Sequence, residues 1–289
     1  MMTRRLWFPG WRCFAWVFLA AFPSLSVALG GFGQAAAQPA PSKSDQVPAQ
    51  SAWSELIRRS AAQYKMFRKT ADRTPLVLQA KPILRWANNT RLTEDGFTYL
   101  WIGQGRPEAV ACIYSWGPDR IRHNFQLLSR GPLEAERDGR RVWYPAQPGV
   151  EFRAVPDAAT PADSPAARLR QMKAMAEDFA ATGAPGFFNQ AELHLRLFPR
   201  EVYRYESQDR RILDGALFAF VDGTDPEVLL LLEAVRSGAG FQWQYALARR
   251  TESGLTVRYR DKPVWSVPNS PAARDPREPY MELEFSREP

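Results

Sequence analysis

The fold is decided by Asp214–Arg236, which reads DGALFAFVDGTDPEVLLLLEAVR. Two apolar runs flank the turn sequence DGTDP, Asp222–Pro226, and this pattern predicts a β-hairpin. An earlier stretch, Asp95–Tyr114, reads DGFTYLWIGQGRPEAVACIY and has the same layout. Four of its residues recur 119 positions later in the second stretch, namely Asp95, Gly96, Pro107 and Glu108 as Asp214, Gly215, Pro226 and Glu227. The chain is therefore expected to contain two copies of one hairpin.

The repeat extends beyond the hairpins in an unchanged order. The offset is 119 where Leu78, Arg85 and Trp86 match Leu197, Arg204 and Tyr205. It is 120 where Asn124, Phe125 and Leu127 match Gln244, Tyr245 and Leu247. It is 122 where Val142 and Trp143 match Val264 and Trp265, and 133 where residues 150–152 match 283–285. The offset grows only at turn-rich places. We therefore predict an α+β fold with an internal duplication, each half being one helix followed by about five or six antiparallel strands, with the halves related by a pseudo-twofold axis.

Boundaries follow from composition and helical periodicity. The first repeat is predicted over residues 52–155, a Pro/Ala/Asp linker over 156–163 and the second repeat over 164–289, with helices over 52–70 and 166–181. Val228–Leu232 is apolar on both alternations, so this strand should be buried on both faces at the centre of a sheet.

The N-terminal residues are typical of an export signal. Three arginines, Arg4, Arg5 and Arg12, precede the apolar run Cys13–Gly33, and Ala35–Ala37 fits a cleavage site. Residues 1–37 are therefore predicted to be a signal peptide, with a single-pass anchor as the alternative. Residues 38–51, rich in Pro, Ala, Ser and Gln, are predicted to be a disordered linker. The expected location is the periplasm or cell envelope, with no stable membrane span after signal cleavage.

Charge and cysteine content exclude several classes of protein. Removal of residues 1–37 takes away three arginines and no acidic residue, which lowers the formal charge from +7 to +4. The remaining basic residues are interleaved with acids, so a nucleic-acid partner is not expected. Cys112 is the one cysteine outside the signal, which excludes an internal disulfide. Neither a zinc motif nor a dinucleotide or phosphate-binding motif occurs, and no cofactor is predicted.

Carboxylates supply the weak candidates for catalysis and metal binding. Asp222 and Asp225 could hold Ca²⁺, which prefers hard oxygen ligands; the alternative is ordinary turn chemistry. Asp214 and Glu227 could act as an acid–base pair. The alternative for these two is a role in folding, because both halves carry them.

The remaining candidates are a histidine and a group of aromatic residues. His123 could act as a general base or, beside Arg122, contact an anion; the alternative is an imidazole with no role. A ligand-binding face is predicted from Trp86, Trp101, Trp116, Arg122 and His123, with plain core packing as the alternative.

Three strings, LDGALFAFVDGTDPEVLLLLEA, WQYALARRT and RLRQMKAMAEDF, resemble a group of secreted proteins of planctomycete-type bacteria to which no function is assigned. The resemblance spans about Leu76 to Trp265 and implies a bacterial, exported context.

The predicted function is that of an exported, non-catalytic binding or scaffold protein. It would bind an envelope protein, or an apolar or sugar ligand, on a β-sheet surface. Two alternatives stay open: an envelope or polysaccharide hydrolase with carboxylates in a cleft between the repeats, and a carrier of small apolar ligands.

Overall fold

A computed structural model of the chain describes residues 43–88, 93–117, 119–185, 191–209, 211–270 and 273–286. The chain divides into Met1–Lys43 and a compact unit, Ser44–Pro289. The predicted signal peptide, residues 1–37, lies outside the described residues and stays a prediction. Neither helix in the described part combines the length and apolar character that crossing a membrane requires.

Two helices and eighteen strands make up the described chain. They are, in order, α1 (Lys43–Ala62), β1 (Tyr64–Arg68), β2 (Val77–Leu78), β3 (Leu84–Asn88), β4 (Thr93–Gly103), β5 (Arg106–Ser115), β6 (Arg120–Leu127), β7 (Leu133–Arg137), β8 (Arg140–Trp143), β9 (Arg153–Ala154), α2 (Pro165–Glu177), β10 (Phe179–Gly183), β11 (Leu193–Leu197), β12 (Tyr203–Tyr205), β13 (Ile212–Asp222), β14 (Asp225–Ser237), β15 (Gly240–Arg249), β16 (Leu255–Tyr259), β17 (Lys262–Val267) and β18 (Tyr280–Ser286).

The strands form three sheets. The largest runs β17-β16-β10-β11-β13-β14-β15-β9, with β12 also on β13; the second runs β18-β6-β5-β4-β2, with β3 also on β4; the smallest is β1-β7-β8. The strand pairs of the described residues are antiparallel. The α+β, antiparallel class predicted from the sequence is therefore confirmed.

Strand β14 is buried on both faces, as its sequence predicts. Val228, Leu230 and Leu232 point into a core that also contains residues of α2, such as Met172. The intervening Leu229 and Leu231 point into a second core, shared between the two larger sheets. A third core lies between α1 and the sheet of β4–β6, with Trp53, Ile57 and Ala61 on the helix side. Each larger sheet thus has a helix on one face and the other sheet on the opposite face.

The two hairpins pair in the same register. Gly96 faces Tyr114 in β4–β5, and Gly215 faces Glu233 in β13–β14. Each ladder has an irregularity at the same distance from its tip, before Ile102 in one and before Val221 in the other. Both hairpins therefore share their register and their bulge.

Each hairpin also has a glycine against an aromatic ring. A Cβ atom added to Gly96 would lie 2.4 Å from the ring of Trp86, and one added to Gly215 would lie 2.6 Å from the ring of Tyr205. Both distances are shorter than a van der Waals contact. The glycines are therefore required by close packing rather than by a turn.

The structural offsets differ from two of the predicted ones. Cys112 pairs with Asn124, and Leu231 pairs with Ala246, so the third strands correspond at 122 rather than 120. The predicted offset was wrong by two residues. Each residue was still assigned to the correct face of the sheet, because side chains alternate between faces with a period of two. His123 pairs with Leu283, and Tyr245 pairs with Arg153, which gives 130 rather than 133 for the last strands. A match of only three residues, such as 150–152 with 283–285, does not determine which residues of the two strands hold equivalent pairing positions.

The last strands are exchanged between the two sheets. β9 follows the strands of the first hairpin in the chain, but it adds to β15, beyond the second hairpin. β18, at the C-terminal end of the described chain, adds to β6, beyond the first hairpin. Each sheet is therefore completed by a strand that belongs, in chain order, to the other half.

Several predicted boundaries were wrong. Helix α1 begins at Lys43, inside the segment predicted to be a disordered linker (38–51), as an extension of the turns that pack Trp53, Ile57 and Ala61 into the core. It ends at Ala62 instead of residue 70, because the next residues form β1, which pairs with β7. Helix α2 ends at Glu177 instead of 181 for the same reason, since β10 pairs with β16. Strand pairing outweighs the apolar spacing of these segments.

Truncation in the core between the two larger sheets should destabilise the chain. Leu231 is fully buried there, so Leu231→Ala should lower the free energy of unfolding by about 2–5 kcal/mol. Val77→Ala is the control, because Val77 is 69% exposed. Urea denaturation of both variants measures the difference. Equal losses in the two variants would show that β14 is not central to the core.

Candidate functional site

The acidic cavity is a recess of about 460 Å³ at the tip of the β13–β14 hairpin. It is lined by five carboxylates from the hairpin tip, the β15–β16 loop and β18, which are Asp222, Asp225, Glu227, Glu252 and Glu282. Three aromatic rings, Trp86, Tyr114 and Trp116, and two arginines, Arg122 and Arg250, line it as well. Its volume falls within the roughly 300–1,000 Å³ that small-molecule sites occupy.

The hairpin tip is held in place by β3. The backbone N–H of Ala87 donates to Thr224 Oγ1 at 2.9 Å, and the Thr224 hydroxyl donates to the Ala87 carbonyl at 2.9 Å. Asn88 Nδ2 donates to Oδ2 of Asp222 at 3.1 Å and to Oδ2 of Asp225 at 3.3 Å. Both aspartates therefore converge on one amide nitrogen, with their orientation fixed by a neighbouring strand.

Metal binding at these aspartates has no geometric support within the described ranges. No group of three or more His, Cys, Asp or Glu side chains is arranged there to hold an ion. Asp222 and Asp225 instead share the amide of Asn88.

An aromatic wall forms one side of the cavity. The ring centres of Trp86 and Tyr114 lie 5.1 Å apart, and those of Tyr114 and Trp116 lie 6.3 Å apart. The guanidinium of Arg122 lies 3.9 Å from the centre of the Trp116 ring, a cation–π contact. Arg122 also approaches Glu284 at 3.1 Å and Glu282 at 3.6 Å, so its charge is largely offset.

Buried N–H donors lie beside the carboxylates. Arg250 is 3% exposed, and its Nη2 donates to the Asn124 carbonyl at 3.2 Å. Arg250 Nε and Nη1, and Trp86 Nε1, donate to no acceptor among the described residues. A buried polar group that lacks a partner costs about 1–3 kcal/mol. The cavity therefore combines donors that lack acceptors with carboxylates that accept.

Glu282 differs from an ordinary surface glutamate. Burial raises its pKa, although the O–H of Tyr280, which donates at 2.5 Å, and the charge of Arg122 act in the opposite direction. Glu282 thus keeps its proton to a higher pH than an exposed glutamate, which suits a group that donates a hydrogen bond or a proton.

The cavity brings together most of the residues predicted from the sequence. They are two candidates for metal binding, one for catalysis and three for ligand binding: Asp222, Asp225, Glu227, Trp86, Trp116 and Arg122. Asp214, Trp101 and His123 do not line it.

Asp214 is part of a buried ion-pair group. Its Oδ2 accepts from Arg168 Nε at 2.9 Å, and Arg204 donates to both of its oxygens at 2.9 and 2.6 Å. In the first half, Arg85 donates to both oxygens of Asp95 at 2.6 and 2.8 Å. Asp214 is 4% exposed and already occupied by arginines, so its geometry supports a structural role.

Trp101 and His123 belong to the core beneath α1. Trp101 is 1% exposed, and its Nε1 donates to the Tyr64 carbonyl at 3.4 Å. His123 is fully buried, with Nδ1 2.6 Å from the Tyr64 hydroxyl and Nε2 3.3 Å from the Ser60 hydroxyl. Burial, followed by the charge of Arg137, lowers the pKa of His123 to about 3. The imidazole is therefore neutral at ordinary pH and is shielded from solvent.

Among the charged and aromatic lining residues, sequence reasoning missed four: Tyr114, Arg250, Glu252 and Glu282. Glu282 reaches the cavity only through the exchanged strand β18, and Glu252 only through the β15–β16 loop. The spacing of residues in the sequence therefore does not predict that Glu282 or Glu252 lines the cavity. Asp222 and Asp225 were found because they are what distinguishes the second hairpin tip from the first.

Comparison of the chain with protein-family models, with curated proteins and with solved structures gives no match. The resemblance to a secreted bacterial group therefore stays an expectation, and the chemistry of the cavity carries the functional argument.

The buried His123 should make stability depend on pH. The unfolded chain binds a proton near pH 6.5 and the folded chain only near pH 3, so stability rises with pH across this window. Acidification from pH 7 to pH 5 should remove about 2 kcal/mol of unfolding free energy through this group. Urea denaturation at both pH values should show a smaller loss for His123→Gln than for the parent.

The matched control is His194→Gln, because His194 is the other histidine of the chain and is exposed. It should keep the full pH dependence of the parent. If His123→Gln loses as much stability on acidification as the parent does, the titration of His123 is not the cause.

Proposed function

We propose that the chain is an exported binding protein whose acidic cavity takes a small, polyhydroxylated ligand with a positive charge, such as an amino sugar. One observation carries the proposal: five carboxylates, an aromatic wall and buried N–H donors surround a single cavity of about 460 Å³. The proposed site lies at the ends of strands, not on an open sheet face, because both faces of the central strand β14 are buried.

The charge of the lining supports a cationic ligand. Among the described residues, five carboxylates and two arginines line the cavity, and Arg122 is further offset by Glu284, which does not line it. A positive charge about 4 Å from one carboxylate gains roughly 1 kcal/mol in water and more in a recess of lower dielectric constant. An ammonium group therefore suits this cavity better than a neutral or anionic group.

The hydrogen-bonding groups support hydroxyls on the same ligand. A hydroxyl donates one hydrogen bond and accepts others, so it can serve a carboxylate and an N–H donor together. The carboxylates of the cavity accept hydrogen bonds, whereas Arg250 Nε and Trp86 Nε1 donate to no acceptor among the described residues. The aromatic wall can pack against the apolar C–H face of a sugar ring.

Hydrolysis is the second candidate, and Glu282 is the observation that favours it. Its raised pKa suits a general acid, and Asp222 and Asp225 provide carboxylates in the same cavity. Glycoside hydrolysis uses one protonated and one ionised carboxyl group. Carriage of a small apolar ligand is the least favoured reading, because so many carboxylates line the recess.

The same proposal includes export and an origin by duplication, with two copies related by a pseudo-twofold axis. Identical hairpin registers support the duplication, as do the matched packing of Gly96 on Trp86 and Gly215 on Tyr205. The reciprocal addition of β9 and β18 supports the twofold relation. The N-terminal arginines and apolar run support export to the periplasm or cell envelope.

Two disaccharides of one skeleton test the ligand class. The dimer of glucosamine is cationic at pH 6, whereas its N-acetylated counterpart is neutral. Isothermal titration calorimetry should show saturable binding of the cationic dimer, at least about fivefold tighter than the neutral one. Tight binding of the neutral dimer alone would contradict the charge argument, and binding of neither would contradict the proposal.

A matched pair of variants locates the binding. Glu252 is an exposed carboxylate of the cavity, so Glu252→Gln should weaken binding of the cationic dimer about fivefold. Glu177→Gln makes the same change on α2, outside the cavity, and should leave affinity unchanged. Mass spectrometry of longer glucosamine oligomers after incubation distinguishes the second candidate, since shortened products would show hydrolysis.

A further inference from the structure

A second recess, the basic cavity, occupies the matching place at the other hairpin tip. Its volume is about 790 Å³, and it lies beside the β4–β5 turn, where Gly103 pairs with Arg106. The acidic cavity lies beside the β13–β14 turn, where Asp222 pairs with Asp225. The two tips have the same register, so Arg106 stands where the other hairpin has Asp225.

The lining of the basic cavity carries the opposite charge. Six cationic side chains surround it, which are Arg68, Lys69, Arg106, Arg130, Arg211 and Arg236. Two carboxylates, Glu108 and Asp209, also line it. Arg130 lies 122 positions before Glu252, which is the offset of the third strands, so a second position also reverses its charge.

Existing ion pairs offset only part of this charge. Arg68 contacts Glu108 at 2.5 Å, and Arg211 lies 3.4 Å from Asp209. Arg106 lies 2.7 Å from Glu233 and 3.7 Å from Glu108, and Arg130 lies 3.7 Å from Glu233. Lys69 and Arg236 form no ion pair with any carboxylate of the described residues. An excess of positive charge thus remains in a concave site, where the potential of neighbouring groups is focused.

Arg106 provides the feature that points to a ligand. It is 7% exposed, and its Nε donates to Glu233 at 2.7 Å. Its Nη1 donates to the Pro107 and Leu128 carbonyls at 3.2 and 3.1 Å. Nη2 is buried and donates to no described acceptor. The guanidinium is therefore held in one orientation, and only the two N–H groups of Nη2 are left over.

Glu233 sets that orientation from behind the cavity. It is fully buried and accepts from the Tyr205 hydroxyl at 2.8 Å and from Gln244 Nε2 at 2.8 Å, as well as from Arg106. The carboxylate is thus committed to three donors. Arg106 is kept charged and positioned, as a preorganised anion contact requires.

The turn that carries Arg106 is rigidly docked. The backbone N–H of Gln208 donates to the Gln104 carbonyl at 2.9 Å, and a Cβ atom added to Gly105 would lie 2.4 Å from the Glu206 carbonyl. Gly105 has a φ of +86°, which glycine adopts most readily. The tip therefore presents Arg106 on a fixed backbone.

We propose that the basic cavity is a binding site for a phosphate-bearing or similarly compact oxyanionic ligand, anchored by Arg106 and enclosed by Arg130 and Arg236. Guanidinium groups bind phosphate oxygens through charge-assisted hydrogen bonds, and Arg106 has a donor for one of them. The site is separate from the acidic cavity, so its test is independent of the function proposed above.

Inorganic phosphate is the probe for this site. Calorimetric titration of the full chain in low-salt buffer should show one saturable site, and added NaCl should weaken it. The double variant Arg130→Gln/Arg236→Gln should weaken binding at least about tenfold, because it removes two charges that can donate to the phosphate oxygens. Arg170→Gln, at an exposed arginine of α2, is the control that should leave phosphate binding unchanged.

Arg106→Lys tests the fixed donor itself. It keeps a positive charge opposite Glu233 but lacks the guanidinium Nη2, so phosphate affinity should fall about tenfold while circular dichroism stays that of the parent. The rim variants keep the proposal testable if Arg106→Lys does not fold.

Vesicles distinguish a free ligand from a lipid headgroup. Flotation with phosphatidylcholine vesicles that contain phosphatidic acid, against phosphatidylcholine alone, reports binding to a membrane-held phosphate. Binding to either source that depends on Arg130 and Arg236 supports the site and identifies its source. Absence of binding to both, or binding that the double variant leaves unchanged, would overturn the proposal.

Discussion

Burial of β14 on both faces is the constraint on which the rest of the structure depends. Its odd and even side chains belong to two different cores, so a shift of one residue would exchange every contact between them. The register of β14 with β13 and β15 is thereby fixed along its length. Because the register is fixed, the turn residues Asp222–Asp225 fall at a defined end of the sheet, and the acidic cavity forms there.

The backbone at the two hairpin tips determines where the cavities lie, whereas the side chains that line them determine their charge. Each tip is held by hydrogen bonds to a neighbouring segment: the Thr224 hydroxyl bonds the backbone of Ala87 at one tip, and the Gln104 carbonyl accepts from the Gln208 N–H at the other. These contacts create a recess at each tip. The side chains that line the recesses are not equivalent, since Asp225 and Glu252 occupy the positions of Arg106 and Arg130. Two hairpin tips of the same register thus lie beside cavities of opposite charge.

The sequence was informative wherever a physical requirement is local. The alternation of Asp214–Arg236 identified the hairpin and its buried strand, and the shared Asp-Gly and Pro-Glu positions identified its counterpart. The same comparison singled out Asp222 and Asp225, and the aromatic content pointed to Trp86 and Trp116. These residues meet in the cavity because the register of the hairpins positions them.

The remaining features depend on contacts that local patterns do not encode. Both helices end earlier than their apolar spacing indicates, because β1 and β10 find distant partners in β7 and β16. His123 was considered for a functional role, yet its polar neighbours Ser60 and Tyr64 come from α1 and β1 and enclose it. Arg250 and Glu282 reach the cavity through a loop and an exchanged strand, and no spacing in the sequence relates them.

The exchange of β9 and β18 has a consequence for how the chain acquires its structure. The edge of β6 is completed by β18, which follows every other described strand in the chain, so the sheet of the first half stays incomplete until β18 has been synthesised. Pairing of β18 with β6 closes a long loop of chain. This slows folding, because the conformational entropy of the loop is lost before the contacts between the strands form. A strand that crosses between halves within one molecule can equally cross between two molecules, through the same hydrogen bonds.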